Sequence, residues 1–288
     1  MSESIDRVAI GGDSIAYLER GARDADLALC LHGFPDVPHS LIPVMNRLAR
    51  AGFRAVAPYL RGYAPSTLSG PFGPLPLGAD VLTLASALAP GRRLTVVGHD
   101  WGAVATSVAS MLAPNRIAAA VTLSVPPPAA FARGLVRHPA QLLRSSYMLA
   151  FQLPRLPERA LTARRGALIR RIWRTWSPGF EPPAALEREI ARCMEASLPA
   201  PLAHYRALRK PSQLGFLLGK ARGIRVPTLE LHGADDGCIG AEITSRGDDF
   251  AADHERRVLP GAGHFLHVEA PDAVADSIVD WLGRYRSP

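Results

Sequence analysis

The sequence predicts an α/β protein: a mostly parallel central sheet, flanked by helices on both faces, with one helical insertion. Short, largely apolar runs of β type alternate with helix-like stretches towards both ends of the chain, as expected of a sheet covered on both sides. Between them lies a long stretch rich in Arg, Leu and Ala, without strand patterning. At 288 residues and 48% hydrophobic composition, the chain can bury one full core and a smaller appended unit.

Strand-like runs fall at residues 7–10, 14–19, 27–31 and 54–57, then at 94–97, 118–123, 228–231 and 256–259. Helices are expected at 41–51, 79–89, 103–113 and 270–285. The alternation breaks after Val125, where Pro126-Pro127-Pro128 ends the sixth run. The following segment reads as several helices separated by Pro154, Pro157, Pro178 and Pro182-Pro183, since proline interrupts a helix interior. Strand character resumes near Ile224. The simplest organisation is a discontinuous core, 1–125 and 213–288, interrupted by a helical cap at 126–212. There are no internal repeats or low-complexity tracts.

Composition narrows the function classes. No apolar stretch is long enough to span a bilayer, and the first seven residues have no apolar run of signal-peptide type. Cys30, Cys193 and Cys238 are odd in number and far apart, which predicts reduced thiols and a cytoplasmic setting rather than a disulfide or zinc framework. The net charge of +7 is uneven: residues 126–212 carry 15 Arg and Lys against 5 Asp and Glu, the remainder 18 against 21. No nucleic-acid motif accompanies this charge. Arg164, Arg165, Arg170, Arg171 and Arg174 are therefore read as the solvated face of amphipathic helices.

The most informative segment is Gly98-His99-Asp100-Trp101-Gly102, between an apolar strand-like run and a helix of small residues. Strand, Gly-x-nucleophile-x-Gly, helix is the context of a nucleophile elbow. Serine is the usual occupant; aspartate stands here. A carboxylate is suited to displacing a leaving group from saturated carbon, giving an ester that water can cleave. At a helix start Asp100 also faces unpaired N–H groups and the positive end of the helix dipole, which favour its negative charge. An ordinary helix-capping Asp would have no need of the flanking glycines.

Further motifs sit at the ends of other strands. His32-Gly33-Phe34-Pro35 follows the third run and Arg61-Gly62-Tyr63-Ala64-Pro65-Ser66 the fourth. After the seventh comes His232-Gly233-Ala234-Asp235-Asp236-Gly237, and after the eighth Gly261-Ala262-Gly263-His264-Phe265. With the elbow, these resemble the α/β-hydrolase fold, and within it the epoxide hydrolase branch, over essentially the full chain.

The resemblance implies a triad in chain order nucleophile, acid, histidine: Asp100, Asp236, His264. Family spacing selects Asp236, with Asp235 one residue away, and the glycine-flanked His264 over nearby His267. His264 would activate water against the ester, and the acid would orient the imidazole. The N–H groups of Phe34 and Trp101 would hold the developing oxyanion, and Phe34, Pro35, Trp101 and Phe151 would line the substrate pocket. The Arg61–Ser66 loop is given a structural role.

Two segments of the insertion, Ser145–Gln152 and Ala203–Arg206, resemble those holding the family's cap tyrosines. Tyr147 and Tyr205 would then clamp the epoxide oxygen, one of them protonating the alkoxide that leaves the opened ring. The implied activity is epoxide hydrolysis of a small hydrophobic epoxide with water, without cofactor or metal, by a monomer or homodimer. Two alternatives remain. A haloalkane dehalogenase would use the same triad, with Trp101 and either Trp173 or Trp176 as halide donors. A catalytically silent binding protein would use the same pocket, though none of its triad positions is visibly damaged.

Overall fold

The computed structural model describes residues 4–219 and 224–285. Eight strands, β1 (Asp6–Ile10), β2 (Asp13–Arg20), β3 (Asp26–Leu31), β4 (Phe53–Pro58), β5 (Leu94–His99), β6 (Ile117–Leu123), β7 (Thr228–Gly233) and β8 (His254–Leu259), form one sheet. Its order is β1-β2-β4-β3-β5-β6-β7-β8. β2 runs antiparallel to β1 and β4, and every other neighbouring pair is parallel. The central strands β3, β5 and β6 are buried almost throughout and largely apolar because both faces are covered. In β3, Ala28 and Cys30 face one hydrophobic cluster while Leu27, Leu29 and Leu31 face another, the two-residue period of a strand.

Three helices follow the early strands: α1 (Ile42–Arg50), α2 (Pro74–Leu88) and α3 (Trp101–Leu112). The insertion contributes α4 (Pro128–Arg137), α5 (Pro139–Arg144), α6 (Tyr147–Ala150), α7 (Leu156–Trp176), α8 (Ala184–Ser197), α9 (Ala200–Ala207) and α10 (Pro211–Gly219). The chain then adds α11 (Leu266–Glu269) and α12 (Pro271–Gly283). Met45 and Leu48 of α1 join Ile278 and Trp281 of α12 on one face of the sheet. Leu77 and Val81 of α2 and Ala105 of α3 cover the other, and that cluster runs on into Trp173, Met194 and Tyr205 of the insertion. Among the described residues no helix is long and apolar enough to cross a membrane.

Where boundaries differ from expectation, proline accounts for it. α2 begins at Pro74, five residues before the predicted stretch, because proline is tolerated in a first turn. Pro157 likewise opens α7 rather than separating helices. The C-terminal helix is two, since Ala270 before Pro271 leaves helical geometry (φ −132°, ψ 58°). α10 starts at Pro211 and runs across the expected return point at Ser212.

Candidate active site

β5 ends at His99 and α3 begins at Trp101, so the whole reversal falls on Asp100 at φ 50° and ψ −115°. A positive φ at a non-glycine residue costs about 1–3 kcal/mol, and close packing enforces it here. A Cβ at Gly98 would collide with the Gly102 carbonyl, and one at Gly102 with the Leu31 carbonyl. Only glycines on both sides let strand, turn and helix approach this closely. Asp100 is buried, and its Oδ1 accepts the Phe34 N–H at 2.8 Å. Trp101 opens α3 beside it.

His264 is fully buried on the loop after β8. Its Nδ1 meets Asp236 Oδ2 at 2.9 Å, and its Nε2 lies 3.7 Å from Asp100 Oδ2. Nε2 has no hydrogen-bond partner among the described residues. Burial disfavours the charged imidazole, but the carboxylates of Asp236 and Asp100 outweigh it and raise His264 from 6.5 to about 10. The other Asp236 oxygen accepts the N–H groups of Cys238 and Ile239 at 2.7 and 2.8 Å. Asp235 is exposed. His267 turns away, to Asp36 Oδ2 at 3.3 Å and Ser40 Oγ at 3.2 Å.

A cavity of about 250 Å³ opens above Asp100, lined by Trp101, Tyr147 and Tyr205 and by apolar side chains that include Val104, Phe131 and Ile239. The two tyrosine rings meet edge-on with centroids 5.9 Å apart. Burial first, then neighbouring groups including Asp100, pushes both phenols well above their ordinary value of 10.0. The Tyr147 hydroxyl lies 3.7 Å from Cys238 Sγ, and the Tyr205 hydroxyl has no partner among the described residues.

Of the expected pocket residues, only Trp101 is on the cavity wall. Phe34 and Phe151 stand behind it, packed edge-on against each other and against Tyr205. Pro35 is held from the far side, where Trp173 Nε1 donates to its carbonyl at 3.0 Å. That bond removes Trp173 as a halide donor. The Trp176 ring lies against His264 and Tyr147. The wall residues Val104, Phe131, Leu208 and Ile239 carry no motif, and only packing identifies them; Met148 follows Tyr147 in its segment.

Sequence reading also missed how the histidine loop is held. The His264 carbonyl accepts Ser124 Oγ at 2.6 Å and His99 Nε2 at 2.9 Å, and its N–H donates to Trp176 O at 3.1 Å. Ser177, next along the insertion, accepts the Phe265 N–H and donates to Glu269, whose second oxygen accepts the Gly263 N–H. Beneath, Asp36, His99 and His267 bring potential metal-ligand atoms within 4.8 Å. Asp36 is already engaged by the Val37 N–H, Ser40 and His267, so the trio reads as a buried hydrogen-bonded support. The Arg61 loop is structural: its guanidinium bonds Asp80 and Asp13.

The family model described as alpha/beta hydrolase fold matches residues 28–271. The chain is 30% identical to epoxide hydrolase A of Mycobacterium tuberculosis, with 96% of each chain covered. It is 29% identical to epoxide hydrolase 3 of Xenopus tropicalis, over 96% of this chain and 76% of that protein. The structure of epoxide hydrolase A from Mycobacterium thermoresistibile is similar with a TM-score of 0.83 and 25% identity, covering all of both chains. Given the elbow geometry and these similarities, the chain belongs to the α/β-hydrolase fold family, in its epoxide-hydrolase-like branch.

Proposed function

We propose that this protein hydrolyses an apolar epoxide to a vicinal diol through a covalent ester on Asp100. The observation that carries this reading is the meeting, in one apolar cavity, of the Asp100 carboxylate with two phenols, half-buried Tyr147 and buried Tyr205. In this reading residues 126–212 act as the cap domain that brings both phenols to the core.

In the first step an Asp100 oxygen bonds to an epoxide carbon and the carbon–oxygen bond of the ring breaks. The departing alkoxide takes a proton from a phenol, which burial has kept protonated. Esterification then removes one of the two negative charges that hold the proton on His264. The imidazolium releases that proton, restoring the phenol, and its free Nε2 takes one from water. The hydroxide attacks the ester carbonyl, whose developing oxyanion is held by the Phe34 and Trp101 N–H groups. Collapse releases the diol and returns Asp100 to its carboxylate. Asp236 holds the imidazole tautomer and stabilises the imidazolium.

A halide leaving group needs no proton and gains nothing from paired phenols, and Trp173 is committed to Pro35. The direct test measures diol formation from a styrene-oxide-type epoxide beside halide release from a bromoalkane. Diol formation that falls in Tyr147→Phe and Tyr205→Phe supports the proposal. Halide release that is intact in both variants overturns it.

A further inference from the structure

The apolar surface of the insertion is unusual in its placement. Among the described residues, the six most exposed large apolar side chains are Val136, Leu142, Leu143, Leu149, Leu153 and Leu156, with Val136, Leu143 and Leu149 at 85, 78 and 76%. All lie on one run of consecutive short helices and turns, α4 to the start of α7. That run is also free of negative charge: no Asp or Glu occurs from Pro126 to Pro157. Arg137 and Arg155 are exposed on this run and Arg159 lies just beyond it, after Glu158, which pairs with Arg206; the three make no ion pair among the described residues.

We propose that this face of the insertion docks on an anionic lipid surface, with the leucines in the interfacial layer and the arginines at the headgroups. Exposed leucines combined with unpaired arginines suit the boundary between acyl chains and anionic headgroups. A second copy of the chain fits poorly, because residues 126–212 carry 15 basic and 5 acidic side chains and would face an equal positive charge. The docking face also backs onto the cavity. Leu135 and Met148 line the cavity, while their chain neighbours Val136 and Leu149 are exposed. An apolar substrate dissolved in the bilayer would thus meet the site through the elements that touch the lipid. This access step rests on the proposed epoxide chemistry; the docking itself does not.

The test is cosedimentation of the full chain with phosphatidylcholine vesicles, with and without phosphatidylglycerol, at low and high salt. Binding is expected only with phosphatidylglycerol, weakened by salt. Each Arg→Glu change at Arg155 or Arg159 should reduce partitioning at least about fivefold. Leu143→Glu/Leu149→Glu should reduce it more than tenfold while leaving the melting temperature and the turnover of a water-soluble epoxide unchanged. Binding that survives Leu143→Glu/Leu149→Glu overturns the proposal. So does absence of binding to either vesicle, or a dimer in sedimentation equilibrium that these changes dissociate. Because vesicle binding is read without turnover, failure of the epoxide chemistry would leave this test intact.

Discussion

The backbone carbonyl of Trp176 accepts the N–H of His264 at 3.1 Å and that of Gly237 at 3.0 Å. One carbonyl of the insertion thus ties together the loop that carries Asp236 and the loop that carries His264. Ser177 extends the clasp through Phe265 and Glu269. The insertion therefore does more than roof the cavity: it sets the backbone on which His264 and Asp236 meet.

Ser177→Ala tests this clasp. It strands the Phe265 N–H and one oxygen of Glu269, a loss of about 1–3 kcal/mol. Urea unfolding should show that loss. Ester hydrolysis in single turnover should slow more than ester formation, because the clasp positions His264 and not Asp100. Equal slowing of both steps would contradict a positioning role.

The elbow admits no side chain beside Asp100. Gly102→Ala forces a Cβ into the Leu31 carbonyl, and overpacking of this kind costs about 1–3 kcal/mol or more. Thermal melting should record the loss, together with reduced ester formation as Asp100 is displaced. A fully stable, fully active Gly102→Ala protein would contradict the close approach described for α3 and β3.

The two phenols should share the work of the leaving group. General acid assistance supplies roughly 10²–10⁴-fold. Tyr147→Phe or Tyr205→Phe alone should therefore lower the rate of ester formation without abolishing it, and the double variant should lower it further. Rapid-quench measurement of ester formation reads this. Hydrolysis of a preformed ester should change little in either variant.

His264 makes stability depend on pH in a defined direction. Its value is raised from 6.5 to about 10, with Asp236 and Asp100 outweighing burial, so the folded protein binds that proton more tightly than the unfolded chain. The resulting stabilisation is full below pH 6.5, declines as pH rises towards about 10 and is absent above it. The stability advantage of the native sequence over His264→Gln should shrink across that window in denaturant titrations. An advantage that grew with pH would contradict the charged pairing.

The elbow and His264 were legible in the sequence because tight strand-to-helix turns leave local marks, glycines at fixed spacing around one reactive residue; Asp236 was picked out only by the resemblance to the family. The strands were legible because burial on both faces makes the central ones largely apolar. Phe34 and Phe151 were misjudged as pocket residues because adjacency to a motif does not say which way a ring points, and both point behind Tyr205. The first turn of α2 fell outside the expected 79–89 stretch; it holds Pro74 and Pro76, which a helix tolerates at its start. The clasp from Trp176 and Ser177 to the histidine loop, spanning some 90 residues, leaves no local mark at all.

Asp100 as nucleophile is the central claim, and one measurement meets it directly. His264→Gln should still open an epoxide but fail to hydrolyse the ester. Intact mass spectrometry after exposure to a styrene-oxide-type epoxide should then show one added substrate mass, mapping to the Asp100 peptide. An unmodified His264→Gln protein, together with an Asp100→Asn protein that retains full activity, would contradict the mechanism.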